Sequence, residues 1–303
     1  MSGPSASDPA RPIVRAFFDE ATFTATYLVI DPETRHAAVI DSVLDYDPAT
    51  GEITTHSADA VLAAARAADC KITWLLDTHV HADHLSALAY LKAKTGATTG
   101  IGAQVTLVQT AFAPIFAAAD LHTDGSSFDH LLQDGERITI GAMTANILHT
   151  PGHTPACVSY LIGDAVFVGD TLFLPDYGTA RTDFPGGSAH QLYASIKRLL
   201  ALPAETRMFV GHDYKAPGRA DFAWETTVAE QRTSNIHINP DFTEADFVSK
   251  RRARDSVLAA PRLLLPSIQV NMRAGKFPPA AANGTRYLMI PVRAKGSAVE
   301  ALI

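Results

Sequence analysis

Three imidazoles and a carboxylate fall within six residues of this 303-residue chain, His79-Val80-His81-Ala82-Asp83-His84. Imidazole nitrogen and carboxylate oxygen are ligands for divalent metals of borderline or hard character. In an extended stretch, residues two apart point the same way, so His79 and His81 can face one centre. Asp83 taken alone is as readily a helix cap as a ligand. Three more positions have the same chemistry. His153 stands in Thr150-Pro151-Gly152-His153-Thr154-Pro155, where two prolines and a glycine fix the loop around one imidazole. Asp170 follows the apolar run Ala165–Val168, where a carboxylate is costly without a partner. His212 follows Met208-Phe209-Val210 in the same way. Together the seven residues predict a metal-dependent enzyme.

The surrounding pattern places these groups at strand ends. Thr26–Ile30 and Ala37–Ile40 flank the turn residues Asp31–Arg35 and read as a hairpin. An Ala-rich helix is expected over Ala58–Ala68, capped by Ser57 or Asp59. The apolar strand Lys71–Leu76 runs directly into the six-residue cluster, and a helix follows with Leu85, Leu88 and Leu91 on one face and Gly96 as its stop. Strands are expected at Met143–Leu148, Val158–Ile162, Ala165–Val168 and Arg207–Val210. Ser188 with Gln191 reads as a capping box for a helix carrying Leu192, Ile196 and Leu199. Thr243 is expected to cap a helix whose run Lys250 to Arg254 is a solvated face, and Pro266 to Val292 reads as irregular. Hairpins first and interspersed helices later predict two sheets covered by helices.

Composition narrows the partners. A formal charge of −7 argues against nucleic acid, whose phosphates need a basic surface. No apolar run approaches the roughly 20 residues that span a bilayer. The opening MSGPSASDPARP lacks the apolar stretch of a signal peptide and reads as a lead-in. Two cysteines, Cys70 and Cys157, make no disulfide framework, and a reducing cytoplasm fits them best. Both read as structural thiols.

HVHADH, TPGHT, VGD and VGHD, in this order over Phe17 to Tyr214, resemble the metallo-β-lactamase fold. The resemblance implies an α+β protein, an αβ/βα four-layer sandwich with its metal site at one edge. It divides the chain into a lead-in over 1–12, a catalytic domain over 13–240 and a C-terminal extension over 241–303. A dinuclear hydrolase of this family would hold one zinc with His79, His81 and His153. Asp83, His84 and His212 would hold a second, with Asp170 bridging.

Further segments resemble the bacterial persulfide dioxygenases, relatives of the mitochondrial sulfur dioxygenase. These are Gly178–Gly187 (GTARTDFPGG), Gly211–Lys215 (GHDYK) and Gln269–Pro279 (QVNMRAGKFPP). That resemblance implies oxidation of glutathione persulfide by dioxygen and water to sulfite and glutathione. It implies one Fe(2+) per chain held by His79, His153 and Asp170, with zinc as a substitute metal. His81, Asp83, His84 and His212 then orient the ligands. Tyr214 is implied near the substrate sulfur and the iron, and Arg181 at the glutathione carboxylate, where a guanidinium fork suits the group. Arg273 is a weaker candidate for the same pocket. For Arg181 the plainer reading is an ion pair with Asp176 or Asp183, and for Arg273 it is packing of the tail. A glyoxalase II-like hydrolase of glutathione thioesters is the rival. A symmetric dimer is the default assembly.

Overall fold

The computed structural model describes residues 11–239 and 242–292. Most of the expected lead-in, 1–10, lies outside the described residues. The strand Thr24–Ile30 is buried at all seven positions. Its alternating side chains face two different cores. Tyr27 and Val29 point into one, Leu28 and Ile30 into the other. This strand pairs antiparallel with Ile13–Asp19 on one side and with His36–Ile40 on the other, Tyr27 opposite Ile40. Lys71–Leu76, Thr98–Gly102 and His130–Leu132 continue the sheet in parallel. A second six-stranded sheet runs Arg137–Ile140, Met143–His149, Val158–Ile162, Ala165–Phe167, Arg207–Phe209 and Glu225–Thr227.

Three cores define four layers. Tyr27, Ile40 and Leu76 of the first sheet meet Ile147, Tyr160 and Phe167 of the second. The outer face of the first sheet is covered by the helices His56–Ala67 and Leu88–Thr95. The outer face of the second is covered by Ala189–Leu200, Val228–Ser234 and Glu244–Asp255. This is the expected α+β sandwich.

Four local expectations need correction. The helix after the metal cluster begins at Leu88, because Leu85–Ser86 pairs as a strand with Val43 and Leu44. The cap of the first helix is neither Ser57 nor Asp59. Asp45, from the neighbouring strand, accepts the Ser57 N–H at 3.0 Å and the Ser57 hydroxyl at 2.6 Å. Within Pro266 to Val292 a buried helix runs Leu264–Asn271, with Pro266 tolerated in its first turn. The face Lys250 to Arg254 is not wholly solvated. Arg251 is buried, pairs with Asp255 at 2.6 Å and donates to the Thr179 carbonyl at 2.9 Å.

Thr243 caps its helix through a full capping box with Asp246, whereas Ser188 supplies only half of one, accepting the Gln191 N–H at 3.4 Å. Among the described residues no helix is long and apolar enough to cross a membrane. Helix Glu244–Asp255 packs on Ala189–Leu200, with Phe247 fully buried and its ring 5.6 Å from that of Tyr193. Phe247→Ala should lower stability by about 3–5 kcal/mol, read from denaturant midpoints. A loss well under 1 kcal/mol would mean that this helix is not part of a continuous core.

Candidate metal centre

The seven predicted ligands converge at one edge of the sandwich. The loop ends approach each other closely enough to exclude side chains. Gly169 has φ +48°, and a Cβ there would fall 2.3 Å from the Thr78 hydroxyl. Gly152 has φ +142°, and a Cβ would meet the backbone nitrogen of Leu192 at 2.3 Å. Both positions require glycine, and they seat Asp170 and His153 against the strand end that carries His79.

His153 Nε2 lies 3.6 Å and His79 Nε2 4.0 Å from Asp170 Oδ2. Bonds to one divalent ion are about 2.0–2.2 Å, so two donors on it sit at most roughly 4.4 Å apart. The two spacings meet that condition. His79, His153 and Asp170 form one such set, with donor atoms mutually within 4.8 Å. His81, Asp83 and His212 form a second. His212 Nε2 links the sets, 3.3 Å from both Asp83 Oδ2 and Asp170 Oδ1.

The donor atoms fit a cation. Six of them are buried without a hydrogen-bond partner: His79 Nε2, His81 Nδ1, Asp83 Oδ2, His84 Nε2, Asp170 Oδ1 and His212 Nε2. An unmade buried polar contact costs about 1–3 kcal/mol, so six gathered in one place require a shared partner.

The outward nitrogen of each imidazole has a fixed partner, which sets the tautomer. His153 Nδ1 donates to the Arg181 carbonyl at 2.8 Å, His84 Nδ1 to the Leu85 carbonyl at 3.1 Å, and His212 Nδ1 to the Phe23 carbonyl at 3.2 Å. His79 Nδ1 meets the Thr78 hydroxyl at 3.0 Å. His81 is reversed. Its Nε2 lies 3.0 Å from the buried Asp41 carboxylate, leaving Nδ1 for the centre.

Burial, reinforced by the charge of His81, holds His79 well below the usual histidine range and pushes His84 down to about 3. Burial also opposes charge on His81, but Asp41 overrides it and raises His81 to about 10. Asp41 is itself held by the Thr78 N–H at 2.7 Å and the Thr78 hydroxyl at 2.9 Å. It therefore serves as an anchor for His81. Asp77, beside it, is raised to about 7 by burial and accepts the Ser86 hydroxyl at 2.9 Å.

A cavity of about 430 Å³ opens onto the centre through Asp83, His153 and Asp170. Tyr214 lines it, its ring stacked on His212 at 5.5 Å. Its hydroxyl has no hydrogen-bond partner among the described residues. Burial, with Asp83 and Asp170 nearby, raises its pKa and keeps it a donor. Arg181 also lines the cavity, but its fork is engaged by Asp183 at 2.6 and 2.7 Å and by the Ala259 carbonyl at 2.7 Å. Arg273 does not line it. Its guanidinium is taken by Asp120 at 2.8 and 3.0 Å and by the Gln269 carbonyl at 2.7 Å, contacts that pack the extension. Cys157 is buried, its thiol pushed up to about 12 by burial, and it accepts the Thr154 N–H at 3.3 Å. Those properties fit a structural thiol.

Two supporting residues escaped the sequence reading. Asp41 had a usable signal, a carboxylate closing an apolar strand, the same signal that marked Asp170. Asn271 had none. From the last described helix its buried amide donates to the carbonyls of His81 and His84, each at 2.8 Å, and accepts the Ser86 N–H at 2.7 Å. Three bonds from one side chain thus hold the turn that carries Asp83. Asn271→Ala should weaken metal binding by roughly 10–100-fold in competition with a chelator. An unchanged metal affinity in a variant with native circular dichroism would remove this role.

The family model of the metallo-beta-lactamase superfamily matches residues 20–212. The chain is 50% identical to a Burkholderia pseudomallei protein named "Probable metallo-hydrolase", covering 93% of this chain and 99% of that one. It is 46% identical to "Glyoxylase B2" of Dictyostelium discoideum, covering 92% and 96%. Identity to the human mitochondrial "Persulfide dioxygenase ETHE1" is 27%, over 89% and 91%. The crystal structure of ETHE1 from Myxococcus xanthus superposes with a TM-score of 0.70 at 33% identity, covering 87% of this chain and all of that one. With its fold, its ligand cluster and a family match across most of the sandwich, the chain belongs to the metallo-beta-lactamase superfamily.

Proposed function

We propose that this enzyme is a persulfide dioxygenase, acting on glutathione persulfide at a single ferrous ion. The observation that carries the reading is the access to the centre. Of the triad His79, His153 and Asp170, two members face the cavity, whereas of the other four candidate ligands only Asp83 does. Two imidazoles and one carboxylate on one side of an ion are the ligand set of non-haem ferrous oxygenases. The likeness to ETHE1 over the whole of the Myxococcus chain supports the same reading.

The overall change is balanced as glutathione persulfide plus dioxygen plus water giving glutathione, sulfite and two protons. Ferrous iron, when bound, supplies open coordination positions and the redox chemistry for dioxygen. The rest falls to the chain. The carbonyl of Arg181 holds the His153 ring, and Thr78 holds His79, so the ligands are oriented before substrate arrives. The Tyr214 hydroxyl is placed to donate to a sulfur-bearing ligand in the cavity. The aromatic wall of Phe23, Phe173, Tyr177 and Phe184 excludes water around it.

A second reading has its own support. The unpartnered His81 Nδ1, Asp83 Oδ2 and His212 Nε2 would hold a second metal, with His84 Nε2 also unpartnered, and Glyoxylase B2 is a near relative. That reading is a two-metal hydrolase of glutathione thioesters. Metal counting with an oxygen electrode separates the two. Protein reconstituted without air should hold about one iron per chain and consume dioxygen with glutathione persulfide. Asp170→Ala should lose iron and turnover together, whereas His84→Ala should keep its iron. Rapid hydrolysis of S-lactoylglutathione by a two-metal form, without oxygen uptake by the iron form, would replace the dioxygenase reading with the hydrolase.

A further inference from the structure

The turn that joins Ile13–Asp19 to Thr24–Ile30 carries a series of hydrogen bonds that ends on His212. The Asp19 carboxylate accepts the Thr22 N–H at 3.0 Å and the Thr22 hydroxyl at 2.6 Å. The hydroxyl oxygens of Thr22 and Thr24 stand 2.9 Å apart. The buried Thr24 hydroxyl lies 3.3 Å from His212 Nδ1. Between the two threonines, Phe23 has φ +58°, a backbone conformation that bulky side chains rarely adopt unless the surrounding structure enforces it. The Phe23 carbonyl accepts from His212 Nδ1 at 3.2 Å and from the Asp213 N–H at 3.1 Å. Both acceptors for the His212 ring thus come from one short turn. Asp19 itself does not line the metal cavity, so it reaches the centre through this turn.

The far end of the series fixes its direction. A carboxylate accepts and does not donate, so the Thr22 hydroxyl gives its hydrogen to Asp19. Two hydroxyl oxygens 2.9 Å apart need a hydrogen between them, and it must come from Thr24. Thr24 then offers His212 a lone pair and no hydrogen. Nδ1 therefore carries a proton, directed at the Thr24 oxygen and the Phe23 carbonyl. The ring is held with Nε2 facing Asp83 Oδ2 and Asp170 Oδ1, each at 3.3 Å. We propose that Asp19 is a positioning residue for the metal centre, acting through Thr22, Thr24 and His212 on the ligand Asp170. Outward partners of this kind fix tautomer and ring orientation. The role is the same with one bound ion or two, so it does not depend on which reaction the centre performs. An amide at position 19 has hydrogens of its own to give Thr22. The series can then reverse, and Thr24 would aim its hydrogen at Nδ1.

The test uses the full chain with zinc as the probe metal, three variants and two readouts. Asp19→Asn keeps the side-chain size and permits reversal. Thr24→Val removes the last link at nearly constant volume. Thr22→Ser keeps every hydroxyl. Asp19→Asn and Thr24→Val should each weaken zinc binding roughly tenfold in competition with a chelator, and Thr22→Ser should stay within about twofold of wild type. The His212 ring is identified in nitrogen-15 NMR by the signals that His212→Gln removes. Its Nδ1 proton should be present in wild type and Thr22→Ser, and should exchange with solvent faster in the other two variants. Unchanged zinc affinity in Asp19→Asn and Thr24→Val overturns the assignment, as does a wild-type ring protonated on Nε2 alone. A loss in Thr22→Ser equal to theirs also overturns it, because packing of the turn would then be the cause. Should Asp19→Asn fail to fold, Thr24→Val decides by the same two readouts. Neither readout involves oxygen uptake, so failure of the dioxygenase reading would leave this result standing.

Discussion

Six buried donor atoms without hydrogen bonds, five of them on residues of two groups whose ligand atoms lie within 4.8 Å of one another, are the constraint on which this structure turns. Water is excluded from them, and their neighbours present the same lone pairs. Divalent metal resolves the conflict, because an ion accepts lone pairs from several donors at once, and the donors here fall into the two groups His79, His153, Asp170 and His81, Asp83, His212. The fold must therefore hold ligands in place against their own tendency to separate. It does so through outward bonds: backbone carbonyls for His84, His153 and His212, the Thr78 hydroxyl for His79, and the carboxylate of Asp41 for His81.

The sandwich makes those outward bonds possible. Strands buried on both faces end together at one edge, and the loops that leave them carry the ligands. Glycines at 152 and 169 let the loops touch. The segment after the sandwich is more than a covering. Its helix Leu264–Asn271 reaches under the metal turn through Asn271, and its rim from Leu258 to Arg262 closes one side of the cavity. Metal geometry and ligand access are thus both tied to residues far from the ligands in sequence.

The cavity brings the metal ligands Asp83, His153 and Asp170 into one lining with the rings of Phe23, Phe173, Tyr177, Phe184 and Tyr214. Apolar walls beside the ligands keep water away and strengthen the polar contacts made there.

The sequence by itself determined the ligand types, their order and their placement at strand ends, because polar groups closing an apolar strand are costly to bury unless they share a partner. It also determined the strand Lys71–Leu76, the left-handed stop at Gly96 and the helix face of Leu192, Ile196 and Leu199, all of which depend on local periodicity. Ile13–Asp19 and Val105–Phe112 were not recognised, since short segments carry weak periodic signals. Tertiary structure decided what depends on partners distant in sequence. Ser86 left the expected helix because Asp77 and Asn271 bind it, and Asp45 replaced the local cap. Arg181 and Arg273 look alike as single letters. Only their neighbours, Asp183 beside the cavity and Asp120 away from it, assign them different places, because a guanidinium acts through whichever carboxylate the fold brings to it.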